Sequence, residues 1–570
     1  MNDVNVKALR RKGLKAHQAG DLTTARKFYE EVLQHAPRDA DALHLLGMVN
    51  AQEGDFEAAV DKIRYALEID PDNALFHNHF ANSLKALGQY DKAMFHYKRA
   101  LELVPDYAEV HNNLGGLYQK IGDTENALRQ YAKALSINPA YITAHENLGA
   151  LFMRQGKFDE ARRQYNNVLE LHPTSVNAHY QLGTIALQKN DLQQAEINFK
   201  KVLKDSPDHT FALNNLGVLY LKRGELQKAV DTFTQALAID DAHVDARSNI
   251  AATFLHYDRF ENAITHYEEY IKHKPNDTEA LYNLGVAYMA IGQHRTAEHY
   301  FKQTLEIDNT HQDALLNLSA LMLQTHQRGL AQGYLKQLMA LNPEHPLGRY
   351  LFAALENDQS FERAPEAYIR NLFDNYARHY EKHLVETLRY RVPNVISEYL
   401  KETLSIEPAS LRILDLGCGS GLSGVAVSTY AKSLVGVDLS AKMLALACEK
   451  KIYSELVDKD IEAYLAEIQD ARFDLVIAAD TLIYFGDLHD IIKALARVLT
   501  PGGRFIFTVE QGRGDGYELM PSARYTHAKS YVEALLSEVG FDIECCREVD
   551  ARSQEGEAVK EWLFVCRYHA

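Results

Sequence analysis

Small, aromatic and apolar positions recur every 34 residues through the first 345 residues of the chain. In each unit, position 8 is glycine, alanine or serine, position 20 is alanine, and position 24 is aromatic in eight of the ten units. Small residues at positions 8 and 20 let two antiparallel helices approach closely, and the ring at position 24 fills the space beside them. The pattern predicts ten consecutive helical hairpins over residues 6–345.

These units resemble the tetratricopeptide repeat. Eight of the ten have proline at position 32, where it ends the second helix. A single hairpin cannot bury its own apolar face, so the hairpins are expected to stack into an α-solenoid. The resemblance implies a right-handed superhelix with a concave groove that binds a protein or peptide partner.

Position 6 carries an amide side chain in seven consecutive units. An amide has both donors and an acceptor, so a row of them could hold an extended peptide without reading its sequence. The alternative is that asparagine is simply common at this position of such repeats. The predicted peptide-groove residues are Asn113, Asn147, Gln181, Asn215, Asn249, Asn283 and Asn317.

Residues 346–364 follow the last unit with helical apolar spacing, which predicts a cap and junction for the solenoid. No Gly/Ser-rich or Pro-rich linker interrupts the chain here. We therefore expect the repeats and the C-terminal part to pack together.

Residues 365–570 alternate apolar runs with helical stretches. This alternation predicts an α/β domain with a mostly parallel sheet covered on both faces, and the last two runs predict a hairpin that adds an antiparallel edge. The apolar runs are 412–417, 433–438, 473–480, 503–510, 541–549 and 561–569.

The first of these runs leads into a glycine loop, "RILDLGCGSGL", residues 412–422. It has no lysine for a phosphate-binding P-loop, and Leu422 stands where a dinucleotide-binding fingerprint needs glycine. The pattern is instead Asp415 followed by glycine at every second position to 421. About twenty residues on, Asp438 ends the next strand, where a carboxylate would meet a ribose diol.

Asp460, in "VDKDIEAYL", follows a third predicted strand that is too short to stand among these runs, and "FDLVIAADTLIYF" supplies the fourth strand. This order resembles the class I S-adenosylmethionine-dependent methyltransferases of the type 11/12, ubiquinone-biosynthesis-like group. The combination with repeats resembles the repeat-fused methyltransferases of bacteria. The resemblance implies a seven-stranded, mostly parallel Rossmann-like sheet and S-adenosylmethionine as the cofactor.

The family also implies roles for single residues. The glycine loop would pass close to the methionine part of the cofactor, Asp415 would orient the loop and the ammonium group, and Asp438 would accept from both ribose hydroxyls. Asp460 would accept from the adenine amino group. The alternatives are a helix N-cap for Asp438 and a solvated loop acid for Asp460. The implied cofactor-binding residues are Asp415, Gly417, Cys418, Gly419, Gly421, Asp438, Leu439, Met443, Asp460, Ile461 and Asp480, with Thr481 beside them.

Methyl transfer needs alignment and exclusion of water, and it needs a general base only when the acceptor is protonated. Spacing therefore dictates no catalytic residue. Tyr484 and His527 are the candidates, and Tyr376 and Tyr380 match aromatic positions of a covering segment in the family. Core packing or helix capping is the alternative for each. The chain reads "ADTLIY" in place of the D/N-P-P-Y motif, which argues against adenine and glutamine amino groups as acceptors.

The net charge, the apolar runs and the cysteine spacing limit which classes of binding partner and which compartment we expect. The net charge of −17 disfavours non-specific binding to nucleic acid or anionic membrane, and no apolar run reaches the length of a bilayer span. The N-terminal segment has no secretory pattern, and the five cysteines have no CxxC spacing. We expect a cytoplasmic protein with free thiols, no metal site, and no nucleic-acid or membrane partner.

Three functions follow from these features. The first is a methyltransferase whose solenoid recruits a protein or peptide substrate or partner. The second is a small-molecule O- or C-methyltransferase whose repeats assemble a complex. The third is a protein-interaction scaffold with a vestigial cofactor site. The acceptor and the oligomeric state do not follow from the sequence.

Overall fold

The computed structural model describes residues 3–382, 384–385, 388–403, 406–554 and 557–569. Within these ranges, the side chains that lie outside the description are those at positions 3–5, 375–376, 378–379, 382, 403, 554 and 557.

Twenty helices form ten hairpins, one for each 34-residue unit, as the pattern predicts. Short turns join the two helices of a hairpin. The helices are α1 Asp3–Gln18, α2 Leu22–His35, α3 Ala40–Gln52, α4 Phe56–Ile69, α5 Ala74–Ala86, α6 Tyr90–Leu103, α7 Ala108–Lys120, α8 Thr124–Ile137, α9 Ile142–Arg154, α10 Phe158–Leu171, α11 Val176–Gln188, α12 Leu192–Asp205, α13 Thr210–Lys222, α14 Leu226–Ile239, α15 Val244–His256, α16 Phe260–His273, α17 Thr278–Ala290, α18 His294–Ile307, α19 Gln312–Gln324 and α20 Arg328–Leu341.

Each hairpin closes through the small and aromatic positions. A Cβ atom added to Gly217 would lie 2.5 Å from the ring of Phe233, which is fully buried. Gly285 meets Phe301 at the same 2.5 Å. Because Cβ atoms essentially never come this close to another atom, glycine at position 8 is what allows the ring at position 24 to pack against the first helix. The predicted hairpin packing is confirmed.

The chain divides into two compact units, residues 1–250 and 251–570, and the division falls within α15. The first unit consists of repeats, with cores of buried leucine, alanine and aromatic side chains between successive hairpins. The second unit holds the last repeats and the α/β part. The domain boundaries at 345 and 364 stay predictions.

Within the second unit, the end of the repeats shares a core with the α/β part. The predicted cap is helix α21, Pro346–Glu356. Its buried Tyr350 donates a hydrogen bond to the carbonyl oxygen of Ala523 at 2.9 Å. Leu335 of α20 and Leu519 belong to the same apolar cluster. The cap therefore packs on both neighbours.

The α/β part contains nine strands among its described residues, two more than the seven predicted. The two additional strands are three residues each and form a small antiparallel pair at the end of the fifth strand. The strands are β1 Leu411–Leu416, β2 Ala431–Asp438, β3 Glu455–Asp458, β4 Phe473–Ala478, β5 Leu499–Gln511, β6 Tyr517–Leu519, β7 Tyr525–His527, β8 Phe541–Gln554 and β9 Glu557–Tyr568.

Strands β1 to β5 are parallel and follow the order β3-β2-β1-β4-β5. Strand β9 lies antiparallel to β5, and β8 pairs with β9, so the predicted hairpin is confirmed. Apolar clusters cover both faces of the sheet. The remaining helices are α22 Glu366–Lys382, α23 Val392–Thr403, α24 Leu422–Val427, α25 Ala441–Glu449, α26 Ile461–Glu467, α27 His489–Val498 and α28 Lys529–Val539.

The register places the carboxyl ends of β1, β2, β3 and β4 at one edge of the sheet. Loops that follow parallel strands meet at such an edge, which is where open α/β sheets bind ligands. No described helix combines the length and the apolar content that a bilayer span requires.

Candidate functional site

A cleft opens at this edge, between the ends of β1 to β4 and helix α22. The helix contributes apolar and aromatic side chains, and the strand ends contribute glycines and carboxylates. The lining residues are Ile369, Phe373, Tyr380, Gly417, Gly419, Asp438, Leu439, Asp460, Ile461, Ala479, Asp480, Thr481, Tyr484 and Phe485.

The glycine loop after β1 forms the floor of the cleft. Gly417 has φ +63°, and a Cβ atom there would lie 2.5 Å from the side chain of Thr481. The Thr481 hydroxyl donates to the carbonyl oxygen of Leu416 at 3.0 Å. Gly419 has φ +53°, and a Cβ atom there would meet nothing closer than Tyr380, 3.9 Å away. The loop is thus packed against the segment that follows β4 at Gly417 and open to a ligand at Gly419.

Asp438 ties the glycine loop to the end of β2. Its Oδ2 accepts from the backbone N–H of Gly419 at 2.8 Å, and its Oδ1 accepts from that of Ser440 at 2.8 Å. The N-cap of α25 is Ser440, not Asp438. Burial raises the pKa of Asp438, although three backbone hydrogen bonds oppose the rise. A carboxylate has about four acceptor sites, so further donors from the cleft can still be accepted.

Asp460 is the N-cap of α26. Its Oδ1 accepts from the backbone N–H groups of Glu462 and Ala463, at 3.0 and 3.2 Å. Its Oδ2 accepts from Nη2 of Arg363 at 2.8 Å. Asp460 is therefore a buried, ion-paired capping residue rather than a solvated loop acid.

Asp415 lies behind the loop, outside the set of cleft-lining residues. Its Oδ2 accepts from the Tyr453 hydroxyl at 2.7 Å, and the Ser423 hydroxyl lies 3.2 Å from both carboxylate oxygens. Complete burial raises the pKa of Asp415 to about 7, although these hydrogen bonds oppose the rise. A Cβ atom on Gly421 would lie 3.1 Å from the Tyr453 ring. Asp415 and Tyr453 thus support the loop from below.

Seven of the eleven predicted cofactor residues line the cleft: Gly417, Gly419, Asp438, Leu439, Asp460, Ile461 and Asp480. Cys418 and Met443 are buried outside the lining set. The predicted contacts with a cofactor stay predictions for all eleven residues.

Aromatic side chains close the cleft on the side of α22. The Phe373 ring lies edge-on to Tyr380 and Tyr484, with centroids 6.0 and 5.8 Å apart. Burial raises the pKa of both tyrosines, so the phenols are neutral at physiological pH. The side chain of Tyr376 lies outside the described residues.

Polar contacts hold α22 over the strand ends. Asp374 accepts from the Ser440 hydroxyl at 2.5 Å, next to Asp438. Lys450 and Glu381 pair at 2.8 Å. Opening the cleft by moving α22 would break these polar contacts, for which water can substitute.

His527, the second catalytic candidate, is not among the lining residues. It lies on β7, fully buried, with Nε2 3.0 Å from the carbonyl oxygen of Gly486. A carbonyl only accepts, so Nε2 carries the proton. Burial lowers the pKa of His527 to about 4, and the ring is neutral.

Three residues that sequence reasoning missed contact the site from distant segments. Arg363 pairs with Asp460, Tyr453 donates to Asp415, and Arg552 of β8 pairs with Asp480. None stands in a motif, and no spacing relates them to their partners. Only the folded chain brings them together.

In the repeats, the predicted groove amides are half-buried. Six of the seven donate to a neighbouring side chain. Asn147 donates to Oδ1 of Asn112 at 2.9 Å, and Asn249 donates to Oδ1 of Asn214 at 2.8 Å. The pairs that repeat this spacing of 35 residues are Asn113–Asn78, Asn147–Asn112, Asn215–Tyr180, Asn249–Asn214 and Asn317–Tyr282. These amides thus link adjacent repeats, and a peptide-holding role stays a prediction for all seven.

Among the described residues, no three His, Cys, Asp or Glu side chains are grouped so that they could hold a metal ion.

Comparison with known families matches both parts of the chain. A family model described as a methyltransferase domain matches residues 414–507. A TPR repeat model matches residues 81–122 and 120–156. Two further family models match. One is described as the C-terminal domain of cilia and flagella-associated protein 70 and matches residues 140–346, and the other as anaphase-promoting complex subunit 3 and matches residues 18–100.

Curated relatives match the α/β part. The mitochondrial ubiquinone biosynthesis O-methyltransferase of Mus musculus is 29% identical over 157 residues, which cover 26% of this chain and 42% of the relative. The malonyl-[acyl-carrier protein] O-methyltransferase of Priestia megaterium is 30% identical over 168 residues, which cover 28% of this chain and 57% of the relative. The chain thus spans about half the length of these relatives.

Among solved structures, the repeat protein YrrB, described as having an unusual peptide-binding site, is similar to part of the chain. It is 24% identical, with a TM-score of 0.29, and the match covers 32% of this chain and 95% of that one.

Proposed function

Since the chain is a tetratricopeptide-repeat protein fused to a class I methyltransferase domain, we propose that it is an S-adenosylmethionine-dependent methyltransferase whose repeats recruit a protein or peptide. One observation carries the proposal. The open glycine loop and the carboxylates of Asp438 and Asp460, at the ends of adjacent strands, converge on one cleft.

The residues present fit the cofactor. Gly419 leaves room for a ligand against the backbone. Asp438 keeps acceptor capacity for a ribose diol. Asp460, with Ile461 beside it, offers a carboxylate next to an apolar surface, which suits an adenine ring with its amino group. The methionine part would lie along the glycine loop.

S-adenosylmethionine, when bound, supplies a methyl group that its sulfonium activates. The chain then has to align the acceptor and exclude water. Phe373, Tyr380 and Tyr484 form an aromatic wall suited to excluding water. Of the two catalytic candidates, we favour Tyr484, because its neutral phenol lines the cleft and can orient an acceptor by a hydrogen bond.

A small-molecule O-methyltransferase is the second candidate function. It is favoured by the name of the Mus musculus relative, an O-methyltransferase of ubiquinone biosynthesis. In that case the repeats assemble a complex and do not bind the methyl acceptor.

The test uses S-adenosylmethionine with a radiolabelled methyl group. The full-length protein is incubated with extract from a strain that lacks it, and macromolecules are separated from small molecules. We expect label in a discrete protein band. Label confined to small molecules would favour the second candidate, and no label beyond that of an Asp438→Ala control would contradict both.

Recruitment by the repeats is then tested on the same band with a shortened chain. Residues 244–570 are the suitable choice, because they keep the whole second compact unit, including the last two repeats, which share an apolar cluster with the α/β part. We expect this chain to bind S-adenosylmethionine normally and to lose labelling of the protein band. Unchanged labelling would contradict recruitment by the first seven repeats.

Calorimetry measures the cofactor site itself. Asp438→Ala should weaken S-adenosylmethionine binding by roughly 1.5–3 kcal/mol, because it removes a charged acceptor from two hydroxyl donors. Asp515→Ala, in an exposed loop of the same domain, is the matched control and should bind like the wild type. Equal affinity of the two variants would contradict the ribose assignment.

A further inference from the structure

A buried group of charged side chains stands at the end of β4, beside the cleft. Arg552 of β8 is 3% exposed, and its Nη1 lies 2.6 Å from both carboxylate oxygens of Asp480. The same guanidinium donates to Oε1 of Glu561 at 3.0 Å and to Glu510. One arginine therefore faces three carboxylates. Asp480 is the member that lines the cleft, and its φ of +57° is rare for a residue with a side chain.

Two of these carboxylates oppose each other directly. Glu510 and Glu561 are register partners in the antiparallel pair of β5 and β9. Like charges in this position destabilise a sheet. Glu561 is fully buried, and among the described residues its Oε2 has no hydrogen-bond partner. An ionised, unpartnered carboxylate oxygen is costly in such a place, and a proton removes the cost.

The net charge of the group also favours a proton on Glu561. Arg524 also pairs with Glu510, at 3.2 Å. With Asp480, Glu510 and Glu561 all ionised, the two arginines leave one negative charge over. With a proton on Glu561, the group is neutral.

The pKa directions agree with this count. Burial, and next the charge of Asp480, raise the pKa of Glu561 well above its usual range, against the attraction of Arg552. Burial would raise the pKa of Asp480 too, but several opposing interactions, with the charge of Arg552 the largest of them, together outweigh burial, so that pKa is lowered. The phenols that face the group belong to Tyr380, Tyr390 and Tyr484, and burial keeps them neutral.

We propose that Asp480, Glu510, Arg552 and Glu561 form a proton-coupled subsite for a cationic group, in which Glu561 releases its proton when a positive charge binds in the cleft beside Asp480. The exchange balances: one proton leaves for solvent, one cationic group enters, and the buried group stays neutral. This inference rests on the proposed function, because S-adenosylmethionine brings both a sulfonium and an ammonium group.

Calorimetry of S-adenosylmethionine binding in buffers with different protonation enthalpies counts the protons released. The ligand's own α-amino group titrates near neutral pH, so the difference between protein variants is the informative quantity. We expect the wild type to release up to one proton more than Glu561→Gln. The affinity of the wild type should also rise more steeply with pH, by up to about tenfold per pH unit.

A second variant covers the possibility that Glu561→Gln does not fold. Glu510→Gln removes one negative charge, which lets Glu561 ionise in the empty cleft, so it should also lose the extra proton release. Glu548→Gln is the matched control: it lies on the same hairpin, partly exposed and paired with Lys560. It should behave like the wild type.

Infrared difference spectra give a readout that needs no methyl acceptor. A neutral carboxyl band that disappears in Glu561→Gln should be present in the ligand-free wild type and lost on saturation with S-adenosylmethionine. Binding without extra proton release would overturn this inference and leave the proposed function standing. If S-adenosylmethionine does not bind to the wild type, the proposed function fails and this inference fails with it.

Discussion

In the repeats, a glycine makes room for a ring sixteen residues later in the same hairpin, and this contact recurs along the chain, as with Gly217 and Phe233. In the α/β part, Gly417 makes room for Thr481, 64 residues later, and the contact occurs once. The repeats are therefore held by many equivalent local contacts, whereas the cleft depends on single contacts between distant segments. A substitution in a repeat should therefore weaken one of many equivalent packing contacts. A substitution at the cleft should remove a contact that occurs only once in the described residues.

The largest expected effect concerns the cleft, where each contact occurs once, and is found at Asp415. Its pKa of about 7 exceeds the ordinary 3.8, so between these values the folded state binds more protons than the unfolded state. Stability should then fall as pH rises from about 4 to about 7, by up to about 1.4 kcal/mol per pH unit and on the order of 4 kcal/mol in all. Urea unfolding of the second unit, followed from about pH 5 to about pH 8, measures this.

Asp415→Asn should flatten that profile, because the amide does not ionise. Asp515→Asn changes an exposed aspartate of the same domain and should leave the profile as it is in the wild type. If the profiles of Asp415→Asn and the wild type run parallel, Asp415 titrates normally and the burial argument is wrong.

The next effect tests the repeated contact. Gly217→Ala places a Cβ 2.5 Å from the Phe233 ring and should destabilise the hairpin of α13 and α14 by about 1–3 kcal/mol through overpacking. Gly333→Ala makes the same change in α20, at an exposed position with nothing within 4 Å. It should stabilise its helix by about 0.5–1 kcal/mol.

Native-state hydrogen exchange of the α13 and α20 amides reads both effects helix by helix, which suits a repeat array that does not unfold in one step. Opposite signs for the two substitutions would support the packing account. A loss of stability in both helices would show that helix propensity and side-chain packing do not explain the glycines of the repeats.

The same contrast explains what the sequence could predict. The ten hairpins could be predicted from positions 8, 20 and 24, because contacts within each hairpin produce a pattern that repeats along the sequence. The cleft's glycines and Asp438 followed from a loop motif and a strand end that lie close together in the chain. Strands β6 and β7 were missed because three residues are too few to show alternation.

The partners of the site residues could not be predicted. Arg552 reaches Asp480 across 72 residues, and Arg363 reaches Asp460 across 97. Single charged residues at such separations have no spacing that marks them, and a lone glutamate such as Glu561 reads as a solvated charge until the strand register is known. Charge coupling is decided by tertiary structure.

The smallest expected effect distinguishes two interpretations of the amide side chains at position 6 of the repeats. Asn147 donates to Asn112 of the preceding repeat at 2.9 Å, so Asn147→Ala should lower the stability of that junction by about 1 kcal/mol. Asn177→Ala removes an exposed amide that donates to Glu146 and should cost less than about 0.5 kcal/mol. Hydrogen exchange of α7 and α9 gives the stability. Labelling of the protein band then separates the roles: if Asn147→Ala lowers stability alone, the amides join the repeats, and if it also lowers labelling under conditions where the repeats stay folded, they hold the substrate as well.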